Sequence, residues 1–368
     1  MKVGITGQNG FVGRHLFNFL DLKEEIELIP FSKSYFENQE ELQKFVSECD
    51  AIVHLAAMNR HEDQQVIYDT NINLVKKLIK ACRATDAKPH ILISSSTQEE
   101  RDNLYGKSKK EGRELLEKWA AENGSKTTGM VIPNVFGPFG KPFYNSFVAT
   151  FCHQVARGEK PTIINDSSVQ LIYVNELIDE IYNLLINPVS GKVLIPYFHD
   201  VKVSEVLEKL NVYYNDYIEK GIFPTLETPL DLALFNSFRC YIPNNHYPQP
   251  FTKHTDNRGS FVEIVRANTS GQFSFSTTKP GITRGNHFHT RKAERFAVIK
   301  GKAKISIRKI DSDEVVDYFI DGENPAYVDM PIWHTHNISN IGDEEMIALF
   351  WINEPYNAED ADTYFVNV

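Results

Sequence analysis

Residues 2–16, KVGITGQNGFVGRHL, place a β-branched run, Lys2 to Thr6, directly before Gly7, Gly10 and Gly13 in GxxGxxG spacing, and an apolar pattern of helical period follows. Glycines at that spacing permit a tight turn and the close approach of backbone N–H groups to a pyrophosphate, which then sits at the N-terminus of the helix. Alone the motif is a weak signal, and its weight comes from what surrounds it. Outward from it, short apolar runs at Ala51 to Leu55, His90 to Ser94 and Thr128 to Ile132 alternate with helical patterns at Asn71 to Ala84 and Ser108 to Ala121. That alternation predicts βαβ units around a parallel sheet, an α/β Rossmann-type fold for the N-terminal half.

The chain has 368 residues, more than one core of roughly 250 to 300 residues accommodates, so two domains are expected. With 42% hydrophobic and 24% charged residues it reads as globular. A formal net charge of -10, with no long basic run, disfavours non-specific nucleic-acid binding, and no nucleic-acid partner is expected. No apolar stretch approaches the ~20 residues that span a bilayer, and the N-terminus lacks a basic-then-apolar leader, so a cytoplasmic protein with no membrane partner is expected. Cys49, Cys82, Cys152 and Cys240 are scattered, without CxxC spacing, and structural disulfides are not expected. The segment YIPNNHYPQP, 241–250, carries three prolines and marks a break. The expected division is therefore 1–243, a linker at 244–250, and 251–368. Candidate helices at Val203 to Leu210 and Leu226 to Leu234 fall to the first part. Beyond the break, alternating segments at Phe261 to Val265, Phe296 to Ile299, Ala303 to Ile307 and Met346 to Trp351 predict an all-β barrel.

Where a dinucleotide-binding fold that prefers NAD carries an acidic residue after its second strand, this chain has Ser32 and Lys33. A hydroxyl and a cation suit a 2′-phosphate, so NADPH is the expected cofactor. The stretch 91–109, ILISSSTQEERDNLYGKSK, brings three serines to the end of a strand and then Tyr105 and Lys109 one helical turn apart. The ammonium beside the phenol is expected to lower its pKa, and such a tyrosine protonates a carbonyl oxygen as hydride reaches the carbon.

With TGQNGFVG, HLAA at His54 to Ala57, Asn71, ISSS, YGKSK, PNVFGP at 133–138 and YVNE at 173–176, the first ~240 residues resemble an extended short-chain dehydrogenase/reductase acting on a nucleotide sugar. The resemblance implies a catalytic set of Ser96 (or Ser95, since three adjacent serines leave the register open), Tyr105 and Lys109. It implies cofactor contacts from Phe11, Val12, Leu55, Ala56, Ala57 and Asn71, with Asn134 facing the substrate. The arginine the family often carries before its NVFGP segment is replaced by MVIP in this chain.

Residues 281–301, GITRGNHFHTRKAERFAVIKG, hold His287, His289 and Glu294; MPIWHTHNISN, 330–340, adds His334 and His336. His287, His289, Glu294 and His336 form a three-histidine, one-carboxylate set suited to a divalent metal, zinc above all. The double motif resembles the cupin superfamily over roughly 250–368, with one departure: Trp333 stands where the family usually has glycine. DNRGSFVE at 256–263, RGNHFH and the 331–336 segment further resemble keto-sugar 3,5-epimerases, which implies nucleotide-sugar contacts from Arg258, Glu263, Arg284 and Arg295 and a late acid, Tyr356. In those epimerases the residue at the place of His287 is a base, a role in conflict with metal ligation.

A reductase followed by a metal cupin over the whole chain resembles the CapF-type capsular polysaccharide synthesis enzymes. That implies a bifunctional step toward N-acetyl-L-fucosamine on a UDP-activated 4-keto-6-deoxy amino sugar, in a homo-oligomer, dimer or higher. The same chemistry on a dTDP-4-keto-6-deoxyhexose, a non-catalytic NADP-sensing regulator and a cupin that only dimerises the chain are the alternatives. Retention of both Tyr105 and Lys109 counts against the sensor.

Overall fold

The computed structural model describes residues 1–257 and 259–368, with the backbone alone at 259–261. The chain forms two compact units, residues 1–150 with 164–203, and 151–163 with 204–368. No helix among the described residues is long and apolar enough to cross a membrane.

The first unit is built on strands β1 (Lys2–Thr6), β2 (Glu27–Ile29), β3 (Ala51–His54), β4 (His90–Ser96), β5 (Thr127–Ile132), β6 (Asn134–Phe136), β7 (Ser168–Tyr173), β8 (Gly191–Leu194) and β9 (His199–Lys202). Six of them make a wholly parallel sheet in the order β2-β1-β3-β4-β5-β8. Helices α1 (Phe11–Leu20), α2 (Gln39–Glu48), α3 (Gln64–Thr85), α4 (Leu104–Asn123) and α6 (Val174–Ile186) supply the crossovers, and α5 (Phe147–Val155) runs between β6 and β7. The central strands are covered on both faces, which is why Ile52, Val53, Ile91 and Leu92 form continuous apolar runs with no exposed surface. β6, β7 and β9 form a separate small sheet.

A buried ionic network braces α4. The Arg113 guanidinium bonds Glu99 at 2.9 and 3.2 Å and Glu117 at 2.9 Å, while Ser95 donates to Glu99. The bare backbone of Gly129 leaves room for it, since a Cβ there would lie 2.2 Å from Arg113 Cδ.

The second unit opens with helices α7 (Val203–Tyr213) and α8 (Pro229–Arg239) and continues as strands β10 (Gln249–Pro250), β11 (Lys253–Asp256), β12 (Gly259–Val262), β13 (Gln272–Thr278), β14 (Thr283–Phe288), β15 (Glu294–Lys300) and β16 (Lys302–Lys309). β17 (Val315–Asp321), β18 (Ala326–Met330), β19 (His334–Asn340), β20 (Met346–Ile352) and β21 (Tyr364–Phe365) complete it. Two five-stranded sheets, β10-β18-β15-β20-β13 and β17-β16-β19-β14-β21, face one another as a cupin-like barrel. Alternate residues of both point inward: Phe296, Val298, Val328 and Ala348 from one sheet meet Ala303, Ile305 and Ile338 from the other.

By contact, residues 204–243 group with the barrel rather than with the dinucleotide fold. Phe223 lies 4.1 Å from the Trp351 ring, Tyr217 bonds Asp329 at 2.5 Å, and Arg239 donates to the Met330 carbonyl at 2.9 Å. The proline-rich stretch near 244–250 is thus internal to this unit by contact.

Candidate active and metal sites

Each glycine of GxxGxxG has its own task. Gly7, at φ +79°, adopts a conformation costly to L-residues, and a Cβ there would stand 2.8 Å from the Ala56 nitrogen. Gly10 caps α1 without any side-chain hydrogen bond, leaving the first-turn N–H groups available to an anion. A Cβ on Gly13 would fall 2.2 Å from the Gly7 carbonyl, so only glycine lets α1 lie against the turn. Phe11, Val12, Leu55, Ala56 and Ala57 are half-buried around this turn. Lys33 is exposed, whereas the Ser32 hydroxyl caps the short helical turn at Lys33–Glu37 and pairs with Ser34 at 2.7 Å.

Asn71 is buried and acts as a clamp. Its side chain bonds Met58 N and O at 2.7 and 3.1 Å and the Ser108 hydroxyl at 3.0 Å, tying the loop after β3 to the first turns of α4. Gly106 lets that helix approach the turn after β4, since a Cβ would be 2.0 Å from the Gln98 carbonyl. Lys109 is buried with its ammonium 3.2 Å from the Ser94 hydroxyl, which itself donates to His54 O at 3.3 Å.

The three serines therefore part company. Ser95 points the other way, into the Glu99–Arg113 network; Ser96 accepts from Gln98 N at 3.2 Å; Ser94 meets the lysine. Period-two alternation along β4 puts Ser94 and Ser96 on one face. Burial holds the Lys109 ammonium down at about 8 and pushes the Tyr105 phenol up to about 12. The phenol shift is opposite in sign to the lowering expected from the adjacent lysine, because removal from water penalises the phenolate. Asn134 is exposed on β6, with its amide 3.4 Å from Gln170 O.

In the second unit His287, His289, Glu294 and His336 converge, each offering one ligand atom within 4.8 Å of the others. Cross-strand pairing sets His287 directly against His336. Asn286, at φ +61°, makes the bulge that aims His287. The Nε2 atoms of His289 and His336 stand 3.3 and 3.2 Å from Glu294 Oε2, yet all three atoms are buried without a hydrogen-bond partner among the described residues. A tetrahedral ion with bonds of roughly 2.0–2.1 Å separates its ligands by roughly 3.3 Å, so these spacings fit a zinc-type cation. The opposite ring nitrogens are held by backbone carbonyls, His289 Nδ1 by Asp362 O and His336 Nδ1 by His334 O, which turns both Nε2 lone pairs inward. Burial alone would raise the Glu294 carboxyl, but the two histidines outweigh it and hold the group well below the usual carboxylate range. Burial, with His336 beside it, brings His287 down to about 4, so the ring is a neutral ligand near pH 7.

Trp333 preserves the turn that glycine usually makes. It sits at φ +57°, its N–H donates to His289 O at 2.7 Å, and its indole stacks on Phe288 at 5.4 Å. Asp362, far along the chain, accepts from Thr290 N, Arg291 N and Lys292 N at 2.9, 3.1 and 3.1 Å, locking the loop between the two ligand strands. Nothing in its local sequence marks that role. His334 does not join the cluster; its Nδ1 meets Ile332 O at 2.9 Å.

Of the expected nucleotide-sugar contacts, Arg295 is otherwise engaged. It is 2% exposed, bonds Asp329 at 2.7 and 2.9 Å and lies 3.6 Å from the Tyr327 ring, so its donors are consumed inside the protein. Glu263 is exposed and paired with Arg266; Arg284 is exposed with one bond to Thr277 O; Arg258 lies outside the described residues. Tyr356 is 61% exposed beyond β20.

The description "NAD dependent epimerase/dehydratase family" matches residues 3–195, and "Polysaccharide biosynthesis C-terminal domain" matches residues 254–364. The chain is 35% identical to the UDP-2-acetamido-2,6-beta-L-arabino-hexul-4-ose reductase of Pseudomonas aeruginosa, covering 100% of this chain and 99% of that one. The crystal structure of the capsular polysaccharide assembling protein CapF from Staphylococcus aureus matches with a TM-score of 0.64 at 32% identity and full coverage of both chains. The structure of RMD from Pseudomonas aeruginosa complexed with NADPH covers 58% of this chain and 82% of its own with a TM-score of 0.53 and 22% identity, a likeness of fold.

Proposed function

The chain belongs to the NAD dependent epimerase/dehydratase family in its CapF-type form, and from that premise we propose that it is a bifunctional UDP-sugar enzyme of capsular polysaccharide synthesis. The second unit epimerises C3 of a UDP-2-acetamido-2,6-dideoxy-4-hexulose, and the first reduces C4 with NADPH, giving UDP-2-acetamido-2,6-dideoxy-L-talose. The order follows from the substrate. A ketone at C4 acidifies the C3 proton, and reduction removes that activation. What carries the reading is that both side-chain sets, Tyr105 with Lys109 and the His287, His289, Glu294, His336 cluster, stand in one chain matching that reductase end to end.

In the reductase site Tyr105 donates its proton to O4, and a nicotinamide bound at the GxxGxxG turn would supply the hydride that C4 accepts. A phenol held near 12 is fully loaded for donation at neutral pH, which suits the reductive direction. Lys109 fixes the Ser94 hydroxyl beside it, and Ser94 or Ser96 polarises the ketone oxygen. The exposed Lys33 favours a 2′-phosphate, hence NADPH over NADH. In the second unit His287, His289, Glu294 and His336 would hold a divalent cation, zinc by its ligand types, which when bound supplies Lewis-acid polarisation of the ketone. Tyr356 protonates C3, and Arg284 binds the diphosphate.

Exposed Phe273 and Phe275 on β13, an edge strand, support a homo-oligomer. Incubating the protein with the UDP-4-keto sugar and NADPH or NADH, and assigning the product by NMR, tests the function. A 6-deoxy-L-talo product with NADPH preferred supports it; no turnover of the UDP sugar beside turnover of a dTDP-4-keto sugar refutes it.

A further inference from the structure

We infer that the second unit carries a binding site for a small oxyanion, phosphate or carboxylate, built around the buried guanidinium of Arg239. A cavity of about 220 Å³ is lined by Tyr217, Arg239, Tyr247, Lys309, Val316 and His334 among others, and by none of the four metal-type residues. Arg239 is 4% exposed. Its Nη2 donates to Met330 O at 2.9 Å, while Nε and Nη1 are buried with no hydrogen-bond partner among the described residues. The nearby carboxylate of Asp329 is already committed, with Arg295 at 2.7 and 2.9 Å and the Tyr217 hydroxyl at 2.5 Å.

Among the described residues no carboxylate bonds the Arg239 guanidinium, so its charge is buried without a direct counter-ion. Lys309 adds a further cation there, 2.9 Å from Asp311, and the exposed Glu314 at the lining is the other acid. Tyr247, its hydroxyl 3.0 Å from that of Tyr217, provides a neutral donor. An uncompensated buried charge is expensive, and an anion bonded to Nε or Nη1 removes that cost. The volume lies below the ~300–1,000 Å³ of sites for larger ligands, which excludes a nucleotide sugar and selects an ion of phosphate or acetate size.

The test is the ³¹P line width of orthophosphate with the full-length protein at constant ionic strength, in the wild type, Arg239→Gln and Val316→Trp. Val316 lines the cavity from the edge strand β17, so tryptophan there fills it while Arg239 itself is retained. Saturable broadening is expected in the wild type, reversed by sulfate or acetate and absent in Val316→Trp. Arg239→Gln should bind roughly tenfold more weakly, the loss of one charge-assisted hydrogen bond. Equal broadening in wild type and Val316→Trp, no saturable broadening, or competition by UDP that places the phosphate in a nucleotide site would each overturn the inference.

Discussion

Replacing Trp333 by glycine sets two effects of opposite sign against each other. Glycine relieves the left-handed backbone at φ +57°, which costs an L-residue roughly 1–2 kcal/mol. It also deletes an indole that is 3% exposed and stacked on Phe288, and removing a buried aromatic of that size costs about 3–5 kcal/mol. Packing wins, and the net loss is about 1–4 kcal/mol, whose midpoint corresponds to a factor of about 60 in the opening equilibrium. Because Trp333 N–H also holds the His289 carbonyl, the loss should be felt at the ligand strands. Hydrogen exchange of β14 and β19 amides, read by mass spectrometry, should accelerate by that factor in Trp333→Gly while β3 and β4 exchange unchanged. Exchange as slow as or slower than wild type would refute the reasoning, since backbone strain would then outweigh packing.

Tyr105→Phe should lower the reductive kcat by about 10²–10⁴ while leaving NADPH affinity, measured by fluorescence titration, unchanged. For the pH profile, burial has lowered Lys109 to about 8, so the ammonium is charged below that pH and lost above it; kcat/KM for reduction should be level to about pH 8 and then fall, with no break from Tyr105 before about 12. Gly13→Ala drives a Cβ to 2.2 Å from the Gly7 carbonyl, so NADPH binding should weaken at least about tenfold, the cost of displacing a backbone turn. His336→Ala should lower the metal content found by elemental analysis and abolish C3 exchange, yet leave reduction of already epimerised substrate intact.

The parts of the sites carried by local patterns were legible in the sequence. The GxxGxxG turn, the Tyr105–Lys109 spacing and the four converging His and Glu residues need only a strand or helix period to be seen, and the parallel sheet and facing β-sheets have the same origin. What was missed depends on partners distant in sequence. The Glu99–Arg113 network takes Ser95 to one face of β4 and leaves Ser94 and Ser96 on the other, where Ser94 is the one that meets Lys109. Arg295 has the look of a surface cation until Asp329, 34 residues on, is placed across the strand pair. Asp362 secures the ligand loop from 70 to 72 residues away. Helices α7 and α8 carry no pattern that says which unit they pack on; Tyr217, Phe223 and Arg239 decide it through contacts with Asp329, Trp351 and Met330.

The proposed order is epimerisation before reduction within one chain. Its most direct measurement is NMR of the UDP-4-keto sugar incubated with the protein in D₂O without any nicotinamide cofactor. Deuterium entering C3, followed by a deuterated 6-deoxy-L-talo product once NADPH is added, is the predicted result. Clean reduction with no deuterium at C3 at any stage would contradict it and reduce the metal-type barrel to a scaffold.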